Sequence, residues 1–152
     1  MKIVASLCAA IIGSYGFSFL FHLRGKKLLF AGIGGGLTWG LYLILESYVT
    51  NTLILYMIVS VFATMYAEIM ARINKAPATC FIMPAEISLV PGASLYYAML
   101  AIVQANNELF NKYLKDTVEM ALGLACGVVI CSVCFKYIHR VLNKIGSKEC
   151  KQ

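Results

Sequence analysis

One carboxylate inside a long apolar stretch is the residue best placed to do chemistry in this chain. Between Lys75 and Glu108 lie 32 residues, and Glu86 is their only charge. An ionisable side chain in an apolar stretch of this length indicates a path for an ion, a proton or a solute through a membrane. Pro84, Pro91 and Gly92 lie nearby. The same residues also fit a structural kink in which Glu86 makes a helix–helix hydrogen bond, and both interpretations stay open here.

Pro91 and Gly92 predict that this stretch is a broken helix. Proline has no backbone N–H and its ring clashes with the preceding turn, and glycine weakens a helix further. Unpaired backbone groups at membrane depth persist only where protein buries them or where they line a polar cavity. Many broken membrane crossings form a binding site near the bilayer centre. We therefore expect the break, at residues 88–92, to lie beside a site.

A second set of polar residues recurs at every fourth position of an earlier segment. Ser60, Thr64 and Glu68 share one helical face because four residues make about one turn. Such a stripe is expected to point into a helix bundle and to line a cavity. The two hydroxyls can instead bond preceding carbonyls of their own helix. Glu68 lies four residues before Arg72, so we also expect an ion pair between these two side chains.

The cysteines do not form a convincing metal or redox site. Cys131 and Cys134 have the spacing of a zinc or redox pair, but no second pair and no nearby histidine complete a tetrahedral site. We expect the cysteines to pack as small hydrophobic residues. A membrane thiol oxidoreductase is the enzyme alternative that the pair leaves open. The sequence predicts no catalytic residue, no metal and no cofactor.

Glycines mark the positions where helices approach closely. Gly32, Gly36 and Gly40 recur every four residues, and Gly123 and Gly127 repeat the spacing later in the chain. On a helix such residues form a smooth stripe against which a neighbouring backbone can pack. The first run has neither a preceding strand nor a lysine, which excludes a nucleotide-binding loop.

The composition predicts an integral membrane protein. The 152 residues are 61% hydrophobic and 13% charged, whereas soluble domains are about half apolar and a quarter charged. Residues 1–152 form a single transmembrane domain with no room for a soluble catalytic domain, so we expect no enzyme. The predicted fold is an all-α bundle of about five transmembrane helices, the fourth broken at Pro91-Gly92, with residues 104–116 as an external loop or short surface helix. The five segments are 3–21, 28–45, 53–70, 76–103 and 118–135.

The basic residues predict how the chain lies in the membrane. The net charge is +6. With five crossings and an external N-terminus, ten of the 13 basic residues are cytoplasmic, and this asymmetry favours a complete fourth crossing over a re-entrant loop. We predict a multi-pass protein of the cell membrane with a cytoplasmic C-terminus, in contact with anionic lipid rather than nucleic acid. The ten residues are Arg24, Lys26, Lys27, Arg72, Lys75, Lys136, Arg140, Lys144, Lys148 and Lys151.

Three stretches follow a pattern known from one family of membrane proteins. Residues 16–44 are similar to a helical hairpin of that family, and the last segment is a glycine-containing helix with a basic tail. Residues 76–100 carry a proline after a basic loop, a short apolar run, a P-x-x-x-x-x-V-P-G core and then a tyrosine. In these features the chain resembles the small, second-half module of the threonine/serine exporter family. The residues of the signature are Pro77, Pro84, Pro91, Gly92 and Tyr96.

The resemblance implies a secondary exporter of small amino acids that is driven by the proton gradient. It also implies a larger partner subunit that carries the first half of the exporter. Ser88 stands where the family often has a further proline, and Glu86 where it has an apolar residue. Export of a small organic acid such as a dicarboxylate is therefore an alternative, and so is a non-transporting scaffold subunit. A homo-oligomer also remains open.

The expected break suits a solute that carries both a carboxylate and an ammonium group. Free amides at residues 93–95 would start a second half-helix, and such amides favour an anion. Freed carbonyls at residues 87–88, together with Glu86, would take the ammonium group or a proton, since a carboxyl in a low dielectric tends to be neutral. Ser94 and Tyr96 would contact a substrate hydroxyl. The candidate substrate-binding residues are Glu86, Ser88, Pro91, Gly92, Ala93, Ser94 and Tyr96.

Overall fold

The fold is helical throughout the part of the chain that the structure describes. The structure is a computed structural model; it describes residues 2–21, 23 and 25–149, with the side chains of all of them except 2, 3, 26, 139 and 141–149. Arg24 and Lys151, two of the predicted cytoplasmic basic residues, lie outside the described residues. The elements are α1 (Lys2–Leu20), α2 (Lys26–Leu45), α3 (Thr52–Ile73), α4 (Thr79–Glu86), a 3-10 turn (Ile87–Leu89), α5 (Gly92–Val103) and α6 (Asn107–Glu149).

These helices have the lengths and composition of membrane spans. α2, α3 and α6 are each long and apolar enough to cross a bilayer. α4 with its 3-10 turn and α5 pass the same test together, as a pair bent by 50°, and α1 supplies a shorter apolar helix, Val4–Leu20. The predicted break at Pro91-Gly92 is confirmed, because the 3-10 turn ends at Leu89 and α5 begins at Gly92. The all-α membrane bundle is confirmed with it.

Of the two alternatives for residues 104–116, an external loop or a short surface helix, most of the segment is helical, although it continues into α6 instead of forming a short helix of its own. α6 already begins at Asn107 and runs for 43 residues. Asn106 starts it, since its side-chain Oδ1 accepts a hydrogen bond from the Leu109 amide at 3.2 Å and so caps the first turn. The polar residues that follow do not interrupt the helix; they form its first turns.

A left-handed residue ends α5 and lets the chain reverse into α6. Ala105 has φ 52°, and the amide of Asn106 bonds back to the carbonyl of Ala101 at 2.9 Å. This is a Schellman closure, in which the left-handed position usually belongs to glycine. Lys75 (φ 48°) ends α3 in the same way.

The predicted glycine stripe of α2 packs against α1. A Cβ atom on Gly36 would lie 2.7 Å from Ile11, and one on Gly40 would lie 3.7 Å from Leu7. At Gly36 a larger side chain would therefore displace Ile11 of α1, whereas at Gly40 an added methyl group would make an ordinary van der Waals contact. The residues of α1 that face Gly32, Gly36 and Gly40 are Tyr15, Ile11 and Leu7, in that order.

The helix break lies in the centre of the bundle. α4 contacts α1, α2 and α3, and the 3-10 turn contacts α1 and α2. Phe81 and Leu89, one on each side of Glu86, are each 1% exposed. α5 packs instead along α6, and α6 packs along α3. The two halves of the broken helix therefore have different surroundings: the first is enclosed and the second lies on one side of the bundle.

Candidate functional site

Two hydroxyl groups of α3 bind the carboxylate of α4. The hydroxyls of Ser60 and Thr64 lie 2.9 and 3.0 Å from Oε1 of Glu86, within hydrogen-bond distance. Both hydroxyl residues are fully buried, at 0% exposure. The four-residue spacing places them on one face of α3, and that face points into the bundle. Of the two arrangements open from the sequence, the stripe contacts other helices rather than its own carbonyls.

Ser60 has a second acceptor, and this matters for the proton on Glu86. Its hydroxyl oxygen also lies 3.0 Å from the carbonyl oxygen of Leu124 on α6. A serine hydroxyl has one proton to donate and two lone pairs to accept with. When Glu86 is ionised, Ser60 and Thr64 can both donate to it. When Glu86 is protonated, Ser60 can donate to Leu124 and accept the carboxyl proton, so a hydroxyl rotation serves both states.

The inner side of the break is lined by small polar groups. The hydroxyl of Ser88, in the 3-10 turn, lies 3.4 Å from that of Ser14 on α1. A Cβ atom on Gly35 would collide with the Ser14 hydroxyl and would lie 3.2 Å from the carbonyl oxygen of Pro84. Glycine at position 35 is therefore what lets α1 and α4 both approach α2 at this level.

The outer side of the break carries free backbone amides. The amide of Gly92 bonds to the carbonyl of Val90 at 2.7 Å. Among the described residues, the amides of Ala93 and Ser94 have no hydrogen-bond partner. The expectation that the amide of Leu95 is also free is wrong. That amide donates to the carbonyl of Pro91 at 3.1 Å, which is the first hydrogen bond of α5.

The break divides the predicted substrate-binding residues into two groups. Glu86 and Ser88 belong to the enclosed half, together with Ser60 and Thr64. The other group lies on α5: Gly92 and Ala93 are exposed, and Tyr96 is 62% exposed with its ring 5.6 Å from that of Tyr97. Pro91 separates the groups, and the hydroxyl of Ser94 lies 3.9 Å from the sulfur of Met120.

Glu68 continues the polar face of α3 toward the end of the helix. Its carboxylate lies 3.5 Å from the guanidinium of Arg72, so the predicted ion pair is confirmed. The Glu68 side chain is 13% exposed. Arg72 also lies over the ring of Phe135 on α6, 4.8 Å from its centroid. The stripe that begins at Ser60 therefore ends in a charged pair held against α6.

Several buried polar residues of the site were missed by the sequence reasoning. Ser14, Ser18 and Thr38 are fully buried, and Ser14 faces the break. The four-residue spacing of the two serines was a signal that could have placed them on one inner face of α1. Among the described residues, only Trp39 has a buried side-chain nitrogen or oxygen without a hydrogen-bond partner, and this atom is its indole Nε1.

Three surface cavities formed by described residues have no lining residue between 86 and 96. A groove of about 560 Å³ runs along α1 and α2, and its lining, which includes Ile11, Leu37 and Phe62, is almost entirely apolar. Cys131 is buried whereas Cys134 is exposed, and both are free thiols. Within the described residues, no group of three potential metal ligands is present.

Comparison with known proteins identifies the family. The sequence profile of the family described as "Threonine/Serine exporter, ThrE" matches residues 6–134. This range includes α1 to α5, the break and all of the candidate substrate-binding residues. Comparisons with curated proteins and with solved structures returned no match. The match covers most of a chain whose helices have the lengths of membrane spans and whose fourth span is broken as expected. The chain therefore belongs to the threonine/serine exporter family, a family of membrane transporters.

Proposed function

We propose that this chain is the small subunit of a proton-coupled secondary exporter of threonine, serine and related small amino acids. The observation that supports this most is the Glu86 carboxylate, which lies beside the break and is bonded by the hydroxyls of Ser60 and Thr64. An ionisable group inside a membrane is costly and is kept where an ion, a proton or a substrate passes. The same hydrogen bonds also fit a structural kink, and efflux by a Glu86→Gln complex distinguishes the two.

In this proposal Glu86 binds and releases the coupled proton. The transfer requires little movement, because Ser60 has an acceptor on α6, the Leu124 carbonyl, for its proton when Glu86 is neutral. Both protonation states are then hydrogen-bonded, which avoids the cost of an unpaired buried polar group. Neither state is trapped by its surroundings, and this suits a carrier that must cycle between the two.

The two sides of the break supply complementary groups for an amino acid. The free amides of Ala93 and Ser94 suit a substrate carboxylate. Glu86 and the carbonyl of Ser88 suit its ammonium group. Pro91 and Gly92 keep these groups out of the helical hydrogen-bond pattern. In this proposal the short side chain of the substrate lies beside Gly92 and Ala93, and Tyr96 contacts its hydroxyl.

The exposed half of the site supports a larger partner subunit. Gly92 and Ala93 lie on the surface of this chain, at a break within a membrane span. Lipid tails cannot accept hydrogen bonds from free amides, so such groups need protein or water against them. We place the larger first-half subunit on this face. A second copy of the chain is the alternative, and a mass measurement on the purified complex would distinguish the two.

The distribution of basic residues supports the proposed orientation in the cell membrane. Arg72 and Lys75 end α3, whereas Lys112 and Lys115 lie at the start of α6. With the N-terminus outside, the first two are cytoplasmic and the last two external, and the positive-inside rule is satisfied. Labelling of single cysteines introduced at 75 and 112 from the outside of intact cells tests this: only the second should react.

Transport by vesicles that contain the chain and its larger partner tests the function. With an imposed pH gradient, the wild-type complex should export threonine. Glu86→Gln should abolish this pH-driven efflux, whereas Glu119→Gln, which removes a partly exposed carboxylate paired with Lys115 on α6, should not. Unchanged efflux in the Glu86 variant would contradict the mechanism. Full efflux by the partner alone would show that this chain is a scaffold.

A further inference from the structure

We infer that Glu68 is the relay that passes the proton between Glu86 and the C-terminal end of α3. The inference rests on the proposed function, because it assumes that Glu86 carries a coupled proton. A proton on Glu86 lies beside the break of a membrane span and needs a route to water. The polar face of α3 contacts Glu86 directly through Ser60 and Thr64, and Thr64 is the one of the two nearer the C-terminal end of α3.

The spacing along α3 makes Glu68 the next titratable group on this route. Thr64, Glu68 and Arg72 recur every four residues, so each is about 6 Å from the next along the helix axis. Thr64 bonds Glu86 directly, at 3.0 Å. Beyond it, the Glu68 side chain is 13% exposed, and Arg72 beside it is 47% exposed. The face therefore leads from Glu86, beside the break, to a carboxylate paired with the exposed Arg72 near the end of α3.

The helix opposite α3 also provides a polar group at this level. Cys131 of α6 is 5% exposed, and α6 packs along α3. A thiol can donate and accept weak hydrogen bonds. The other charged group beside Glu68 is Arg72 of α3. α2 meets this half of α3 through Ala31 and Gly34, which have no titratable side chain.

The proton moves in steps that leave each hydroxyl unchanged. Protonated Glu86 donates its proton to the Thr64 oxygen, and the hydroxyl of Thr64 gives its own proton to a water molecule. That water protonates Glu68, so that one proton and no other atom has moved; a single bridging water spans such a gap between polar groups. Glu68 then releases the proton to solvent, and Arg72, 3.5 Å away, pairs with the carboxylate that remains.

Net transport and exchange respond differently to the loss of a proton relay. Net efflux driven by a pH gradient requires proton release in every cycle. Exchange of labelled for unlabelled threonine across a membrane at equal pH requires only that the substrate site returns loaded. Loss of a relay residue therefore lowers net efflux and leaves exchange unchanged. Loss of a residue needed for folding or for substrate binding lowers both.

The test compares Glu68→Gln with Glu68→Asp in vesicles that contain the full complex. Glutamine keeps the size and hydrogen-bonding capacity of the side chain but cannot carry a proton. Glu68→Gln should lower pH-driven threonine efflux roughly tenfold and flatten its dependence on internal pH. This loss of rate is smaller than the loss caused by removing a general acid or base from an enzyme, because water can replace the carboxyl group in part. Exchange should be unchanged, and Glu68→Asp should restore most of the efflux. Glu119→Gln, at the other paired glutamate, is the control.

Two results would overturn the relay while leaving the proposed function intact. The first is a Glu68→Gln complex whose pH-driven efflux and pH profile equal those of the wild type. The second is a loss of exchange and efflux together, which would assign Glu68 a structural role through Arg72. A wild-type complex that moves no threonine in either assay would instead refute the proposed function, and the relay with it.

Discussion

A methyl group added at Gly127 should disturb the candidate site through one helix contact. α6 packs on α3 at this glycine, and an added Cβ would lie 2.7 Å from the Ser60 Cβ and 2.8 Å from both the Ser60 hydroxyl and the Met57 carbonyl oxygen. Ordinary contacts of a Cβ atom begin at 3.4 Å, so Gly127→Ala must separate the two helices by about 0.7 Å or rotate Ser60. Either change weakens the bonds of Ser60.

The cost follows from the two interactions that are affected. Forcing an extra carbon into a packed contact costs about 1–3 kcal/mol. The hydrogen bonds from Ser60 to Glu86 and Leu124 are 2.9 and 3.0 Å long. Separating α6 from α3 by about 0.7 Å would take the bond to Leu124 beyond hydrogen-bond length, whereas rotating Ser60 would break the bond to Glu86. Losing a hydrogen bond to a charged group costs about 1.5–3 kcal/mol. When Ser60 loses its bond to Glu86, we therefore expect the free energy of unfolding to fall by about 2.5–6 kcal/mol.

The assay pairs thermal unfolding in detergent with threonine efflux from vesicles. Gly123→Ala is the matched control: its Cβ would lie 2.7 Å from the Leu53 carbonyl oxygen, so it strains the same helix pair one turn away from Ser60. Both variants should unfold at lower temperature, and Gly127→Ala should lose more efflux per folded complex. Gly16→Ala, with nothing within 4 Å, should be neutral or stabilising. Equal stability of Gly127→Ala and Gly16→Ala, with equal efflux, would refute the packing argument.

Three further substitutions test other parts of the structure. Thr64→Val keeps the shape of the side chain but removes one donor to Glu86, and should lower pH-driven efflux and reduce the free energy of unfolding by about 1–3 kcal/mol; wild-type values in both assays would contradict the hydrogen bond. Tyr66→Phe removes the 2.8 Å bond to the Phe30 carbonyl, and should cost about 1 kcal/mol in unfolding experiments without changing efflux per folded complex, whereas a specific loss of efflux would place Tyr66 in the mechanism. Ala105→Gly should increase the free energy of unfolding by about 0.5–1 kcal/mol and so raise the unfolding temperature, because φ at this position is 52°. A lower unfolding temperature would argue against the left-handed turn.

The helices could be predicted from the sequence because their signals are local. Hydropathy located residues 53–70, and the structure extends that helix to Thr52–Ile73. At the start of the helix the difference comes from Asn51, whose side chain accepts a hydrogen bond from the Leu53 amide at 3.2 Å and sets the first turn. The break could be predicted for the same reason, since the backbone limits of Pro91 and Gly92 depend on no distant residue.

The composition of the site could be predicted only in part. The stripe of Ser60 and Thr64 follows from helical periodicity, but its contact with Glu86 joins residues more than 20 positions apart and depends on how α3 packs against α4. The contact of Ser14 with Ser88 spans 74 positions. Periodicity fixes which residues share a helix face and leaves open which helix that face meets.

The separation of the candidate residues into two groups at the break could not be predicted either, because it also depends on how the helices pack. A proline and a glycine predict that a helix bends but not in which direction. In the structure the 50° bend carries α5 out of the bundle centre and onto α6. That direction is set by packing between helices rather than by the residues of the break. The exposed positions of Gly92, Ala93 and Tyr96 therefore had no counterpart in the sequence pattern.

The most direct test of the account is whether threonine moves protons through Glu86. Vesicles that contain the complete exporter and a trapped pH-sensitive dye would be given threonine on one side, without an imposed pH gradient. The wild type should move protons against the threonine flux, whereas the Glu86→Gln complex, which loses both the proton carrier and the carboxylate that faces the substrate ammonium group, should move none. A Glu86→Gln complex that moves protons as fast as the wild type would contradict the claim that this carboxylate is the coupling group.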